Sequence, residues 1–167
     1  MLIRSPALTG QIVTLEHTSK VLADNPLGDP HVRRFPVWLP PQYRARSRRR
    51  LPVLFDLTGF TGSGWSHVAW RNFDESVPEQ AERLLRDGKL GPVIIVFPDC
   101  FTALGGNQYI NSSAIGRYAD YEAGLEEASK VVEAFQGYVL AHSDYLGTVD
   151  KYNNDVAKLM SVSGADE

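Results

Sequence analysis

The sequence predicts an α/β fold, in which a sheet with one crossover helix is followed by a long C-terminal amphipathic helix or helical hairpin. Two observations predict the sheet: short apolar runs alternate with turn-rich segments in the first part of the chain, and two of these runs, VLF and VIIVF, are uninterrupted. Such runs are typical of strands that are covered on both faces. The helix is predicted by a third observation, because the apolar period changes to seven residues after Tyr121.

Four strands and one helix are predicted in the first part of the chain. Turns that contain proline and glycine separate the strands, which we place at residues 11–21, 33–39, 52–57 and 93–97. Residues 77–87 carry apolar side chains at helical spacing, with Pro78 in the first turn and Gly88 as the stop. Since this helix connects two strands, it predicts a crossover and parallel pairing between them.

The residues after Tyr121 follow a heptad pattern. Leu125, Val132, Val139 and Leu146 recur every seven residues, and Asn153 and Met160 continue the series. We therefore predict a helical tail over residues 122–167, of different character from a domain over residues 1–121. The pattern fits an amphipathic helix that packs on its own domain and equally a helix that pairs with a partner chain. A homo-oligomer that forms through this helix is one expectation.

Composition excludes several classes of function. The chain has 167 residues, of which 43% are hydrophobic, and its net charge of -3 predicts no nucleic-acid partner. The arginine cluster at residues 44–50 fits a solvated loop better than a nucleic-acid site. No apolar run approaches the roughly 20 residues that span a bilayer, so no membrane association is expected. The single cysteine, Cys100, and the lack of a secretory signal favour a cytoplasmic protein without a metal or cofactor.

Chemistry is expected where the third and fourth predicted strands end. Gly59 follows the third strand, and a glycine there allows a sharp turn and a close approach to a ligand. We therefore expect the backbone N–H of Phe60 to point into the site, although a plain surface turn fits the glycines equally well. A phosphate loop is disfavoured, because residues 59–66 read GFTGSGWS without the required lysine and precede no convincing helix.

Three motifs occur in the order that a known family has them: LPPQY, then LTGF at the end of a strand, then FPD at the end of the next. In residues 19–121 the chain resembles the esterase family that includes esterase D (S-formylglutathione hydrolase), feruloyl and enterochelin esterases and mycolyltransferases. The resemblance implies a partial α/β-hydrolase-type sheet and a small-molecule ester substrate. It also implies an oxyanion hole at Gly59 and Phe60, and a substrate-binding role for Asp99, Gly106 and Asn107, with Gly105 and Tyr109 on the same loop.

The family's serine nucleophile and histidine are not evident. Ser143, in AHSDY, is a weak candidate, because Tyr145 replaces the glycine of the nucleophile turn and no histidine follows it. His67 lies near the oxyanion loop, but a supporting role is favoured over general-base catalysis. The resemblance therefore predicts a serine esterase that is truncated and inactive as this chain. The alternative is a non-catalytic binding or assembly module that uses the heptad helix.

Overall fold

Four strands form a mixed sheet in the order β1-β2-β4-β3 in a computed structural model that describes residues 8–45 and 50–126. The strands are β1 (Gln11–Thr18), β2 (Val32–Leu39), β3 (Val53–Phe55) and β4 (Ile94–Val96). β2 pairs antiparallel with both β1 and β4, whereas β3 and β4 are parallel. The predicted parallel pair is therefore confirmed. β1 is three residues shorter than predicted, because Ser19 begins a turn in which its hydroxyl accepts a hydrogen bond from the Leu22 N–H.

Three helices lie in the described residues: α1 (Gly64–Val68), α2 (Val77–Arg86) and α3 (Tyr118–Glu126). A short hairpin of β5 (Asn111–Ser112) and β6 (Gly116–Arg117) precedes α3. The crossover helix α2 is confirmed, and Ser76 and Glu79 form the capping box that starts it. The prediction that no helix follows the Gly59 loop was wrong, because Ser63 and Ser66 form a second capping box at the start of α1.

The main core lies between α2 and the inner strands. Trp38 of β2, Ile95 of β4 and the adjacent Phe97 pack with Ala81 of α2. All of β4 is buried, as its apolar run predicted. The same prediction was wrong for β3, where Val53 is 37% and Leu54 is 51% exposed. The physical reason is position, since β4 lies between two strands and β3 lies at the edge of the sheet.

The chain divides into two units, Met1–Glu126 and Glu127–Glu167. Helix α3 crosses the predicted boundary at Tyr121, and both Tyr121 and Leu125 are buried. The heptad tail beyond Glu126, and Ser143 with it, lies outside the described residues. No helix in residues 8–45 and 50–126 combines the length and the apolar character that crossing a membrane requires.

Candidate functional site

Two loops meet at the carboxyl ends of the parallel strands. The β3 loop comprises residues 56–62 and the β4 loop residues 98–109, and both leave the same edge of the sheet because their strands are parallel. Their backbones are joined directly, since the N–H of Asn107 donates to the carbonyl of Phe60 at 2.8 Å. The glycine-rich segments identified in the sequence therefore form one surface.

Asn107 fixes the β3 loop from within. Its side chain is nearly inaccessible, and Nδ2 lies 2.9 Å from Thr58 Oγ1, 3.0 Å from the Gly59 carbonyl oxygen and 2.6 Å from the Gly62 carbonyl oxygen. An amide has two hydrogens, so these three acceptors share them. The structure thus places Asn107, which the resemblance assigned to substrate binding, in the interior, where it orders the β3 loop.

Tyr109 holds the same loop at a second point. Its hydroxyl donates to the carbonyl of Thr58 at 2.8 Å and lies 3.4 Å from the Thr58 hydroxyl. Burial raises the pKa of Tyr109, so the phenol stays protonated and keeps its donor. Since Thr58 is itself buried, the chain directly before Gly59 has a fixed position.

Glycines serve different purposes in the two loops. A Cβ at Gly106 would lie 2.4 Å from the Phe60 ring, so the ring packs on the bare backbone of the β4 loop, and Gly105 has a φ of +86°. Gly59 has neither feature: its φ is ordinary and nothing lies within 4 Å of a Cβ built there. The close approach of a ligand at Gly59 stays a prediction, and the open space at its Cβ position leaves room for one.

The outward side of the β3 loop carries free donors. The carbonyls of Gly59 and Phe60 accept from Gly62 N and Asn107 N, whereas in the described part of the chain neither residue's own N–H has an acceptor. Both residues are exposed. The carbonyls of Gly59 and Phe60 are therefore bonded within the protein, while two consecutive N–H groups remain available as donors, and anions and polarised carbonyls bind to such donors.

A carboxylate and an imidazole lie beside these donors in sequence. His67 Nδ1 is 2.5 Å from Asp56 Oδ2, and the side chains are 27% and 23% exposed, respectively. Asp56 immediately follows β3, where its N–H still donates to Val96 O at 2.9 Å, and His67 belongs to α1. The pair therefore joins the end of the sheet to the helix that follows the β3 loop. The sequence pointed to His67 but not to its partner Asp56, because the helix that brings them together was not predicted.

Asp99 belongs to a buried network at the base of the β4 loop. Arg33 Nη1 lies 3.4 Å from Asp99 Oδ2 and donates to the Phe101 carbonyl at 2.7 Å, while Arg33 Nη2 donates to the Tyr118 hydroxyl at 3.0 Å. Tyr118 in turn donates to Asp29 Oδ2 at 2.6 Å. This network attaches the β4 loop to β2 and α3, so the structure gives Asp99 a supporting position.

Cys100 lies in the β4 loop but is poorly suited to nucleophilic chemistry. Its side chain is fully buried, and burial, with smaller contributions from Glu122 and Asp99, raises the pKa of the thiol to about 12. The reactive thiolate is therefore scarce at neutral pH. Among the described residues no group of three or more histidine, cysteine or acidic side chains is placed to hold a metal ion.

Comparisons with known proteins identify the fold. No family model and no curated protein matches the chain. Among solved structures, a ferulic acid esterase matches 74% of this chain with a TM-score of 0.55 and 24% identity. A CE1 ferulic acid esterase from Anaeromyces mucronatus, in complex with ferulic acid, matches 56% of this chain and 29% of its own, with a TM-score of 0.43 and 25% identity.

The first of these likenesses shows that the described strands and helices form part of the α/β fold of that esterase. The chain covers 45% of the esterase's length, so the similarity concerns less than half of that protein. At this identity the match establishes architecture, and the chemistry has to be argued from the residues at the two loops.

Proposed function

We propose that this chain binds the carbonyl oxygen of small-molecule carboxylic esters at the Gly59 and Phe60 N–H groups, in the manner of a carboxylic-ester hydrolase. The observation that carries the proposal is the pair of N–H groups of Gly59 and Phe60, which have no acceptor among the described residues, whereas the carbonyls of the same two residues accept hydrogen bonds from the protein. Donors that are fixed before a ligand arrives stabilise the negative charge that develops on an ester oxygen. The buried contacts of Asn107 and Tyr109 supply that fixation.

The substrate class is proposed only at the level of the ester group. The similar solved structure is, by its name, a ferulic acid esterase, and this supports an ester as the ligand. The neighbourhood of the loop is apolar, since Phe60 and Leu104 are both more than half exposed. An ester with an apolar acyl or alcohol group would cover such side chains.

Acyl-serine chemistry is not part of this proposal. The serines nearest the loop, Ser63 and Ser66, use their hydroxyls in the capping box of α1, and neither bonds to His67. Ser143 lies outside the described residues and is not followed by a histidine. We therefore propose that the chain is inactive as a serine esterase, and that replacing Ser143 by alanine leaves any ester hydrolysis unchanged.

Calorimetric titration with methyl phenylphosphonate tests the proposed oxyanion site. This stable tetrahedral anion resembles the intermediate of ester hydrolysis. Phe60→Pro removes the N–H, whereas Phe60→Leu keeps it and removes the ring. We expect Phe60→Pro to abolish binding and Phe60→Leu to retain it. Equal binding by both variants, or no binding by the unaltered chain, would refute the oxyanion site.

A second candidate function, an assembly module, is favoured by the β3 edge of the sheet, which no strand of the described residues covers. Pro52 O accepts from Ile94 N, and Asp56 N donates to Val96 O. Since alternate residues of a strand face the same neighbour, the peptide groups of Val53 and Phe55 face away from β4. Exposed strand edges with apolar side chains pair readily with other chains. Sedimentation equilibrium tests this candidate: a Val53→Lys variant should dissociate any oligomer, and a monomeric unaltered chain argues against it.

A further inference from the structure

The Asp56–His67 pair has the chemical form of a base rather than that of a simple surface ion pair. Asp56 Oδ2 approaches Nδ1 of the ring at 2.5 Å, and this is the one hydrogen bond that either side chain makes within the described residues. A carboxylate only accepts hydrogen bonds, so Nδ1 is the nitrogen that carries the hydrogen. In the neutral ring the lone pair then lies on Nε2, which is the tautomer that a general base needs.

The position of the pair relates it to the β3 loop. Asp56 is the first residue of that loop, and α1, which carries His67, begins two residues after the loop ends. The start of α1 is packed against the end of β4, because a Cβ at Gly64 would lie 2.6 Å from the Phe97 carbonyl oxygen. Both ends of the loop are thus anchored at the same edge of the sheet. The imidazole is about one quarter exposed, which leaves it accessible to water.

We propose that Asp56 and His67 form a general-base pair that activates water against an ester held at the Gly59 and Phe60 N–H groups. The inference rests on the proposed function and adds a residue that moves a proton. It provides a route to hydrolysis that needs no serine. Because the protein forms no covalent intermediate with the ester, the route applies to esters with good leaving groups.

The atoms balance without any further reactant. His67 Nε2 accepts a proton from water while the water oxygen forms a bond to the carbonyl carbon, and the carbonyl oxygen becomes an oxyanion that accepts from the Phe60 N–H. The tetrahedral intermediate then collapses, the bond to the leaving oxygen breaks, and that oxygen takes the proton from Nε2. The products are a carboxylic acid and an alcohol, and Asp56 keeps Nδ1 oriented throughout.

Hydrolysis of p-nitrophenyl acetate by the full chain tests the proposal. For the unaltered chain we expect a single ionisation in the pH profile of kcat/KM, with the rate rising towards high pH, no burst of nitrophenolate and a slower reaction in heavy water. His67→Gln should lower kcat/KM on the order of 10²-fold and remove that ionisation. Asp56→Asn should lower the rate as well, because the amide no longer fixes the Nδ1–H tautomer. His31→Gln, at an exposed histidine on the segment before β2, is the matched control and should change neither quantity.

A purely structural role for the pair predicts a different result. His67→Gln would then alter the melting temperature but leave the rate and its pH profile intact, and this outcome would overturn the proposal. Absence of hydrolysis above that of free imidazole would overturn it too. Neither result affects the binding of methyl phenylphosphonate, so failure of the general base and failure of the oxyanion site are separable.

Discussion

The β3 loop is held from two sides, and the sides differ in burial and in chemistry. On the inner side, Asn107 and Tyr109 bind Thr58, Gly59 and Gly62 through neutral hydrogen bonds with little access to water. On the outer side, Asp56 and His67 form one partly exposed pair of a carboxylate and an imidazole. The two sides therefore differ in role: buried neutral contacts set the geometry of the loop, and the partly exposed pair is the proton acceptor that we propose.

The largest expected effect concerns Gly64, where α1 packs against the end of β4. A Cβ at Gly64 would meet backbone and side-chain atoms of Phe97 at 2.6–2.8 Å. We expect Gly64→Ala to lower the free energy of unfolding by about 2–3 kcal/mol, since backbone has to move. Gly91→Ala is the control, because nothing lies within 4 Å there and its φ is ordinary. Chemical denaturation measures both variants, and equal stabilities would show that α1 is not anchored at β4.

The stability that the inner side of the β3 loop provides should depend strongly on Asn107. Asn107→Ala removes the donor for three acceptors, and we expect a loss of about 2–3 kcal/mol in the free energy of unfolding. Asn111→Ala, at an exposed asparagine bonded to Asp120, should cost about 0.5 kcal/mol or less.

Labelling of Cys100 gives this prediction a local readout. The thiol is buried and protonated, so a disulfide reagent reaches it only when the β4 loop opens. Asn107→Ala should accelerate labelling far more than Asn111→Ala does. Identical labelling rates would contradict the view that Asn107 joins the two loops.

A smaller effect on stability is expected from the outer side. His67→Gln breaks a pair that is roughly one quarter exposed, and such pairs contribute about 1 kcal/mol or less. Thermal melts should therefore separate the two sides: Asn107→Ala lowers the melting temperature strongly and His67→Gln weakly. The reverse order would show that the Asp56–His67 pair is primarily a structural brace.

The smallest expected effect is a pH dependence of the free energy of unfolding, which arises from a residue away from the β3 loop. Burial lowers the pKa of His17 on β1 below 6.5. The unfolded chain therefore binds a proton at His17 at a higher pH than the folded chain does. The contribution of His17 to the free energy of unfolding is thus constant above about pH 7 and declines as the pH falls through 6.5. Urea unfolding of His17→Gln at a series of pH values should show a flatter profile than that of the unaltered chain. An unchanged profile would assign the dependence to another group.

Local patterns predicted much of the sheet and little of the site. The apolar runs predicted β3 and β4, and Pro78 with Gly88 predicted α2, because these signals act within a few residues. Exposure of Leu54 was not predictable from its run, since it depends on the order of the strands. The inner contacts of Asn107 reach 45–49 residues back along the chain, and no local pattern encodes them.

The outer side was closer to being predictable. Asp56 and His67 are 11 residues apart, and the serines at positions 63 and 66 match the spacing of a capping box. A serine replaces the usual glutamate or glutamine of that box, which weakened the signal for α1. Because α1 was not predicted, the course of the chain after the β3 loop was unknown, and nothing in the sequence indicated that the side chains of Asp56 and His67 are in contact.

The central claim is that the Phe60 N–H is a preorganised donor for an ester oxyanion. Proton–nitrogen correlation spectra of the isotope-labelled chain, recorded during titration with methyl phenylphosphonate, test it most directly. We expect a saturable downfield shift of the Phe60 amide proton, which persists in His67→Gln and weakens in Asn107→Ala. An amide signal that stays in place while the phosphonate is added, or that moves no more than distant surface amides, would show that the Phe60 N–H is not the donor.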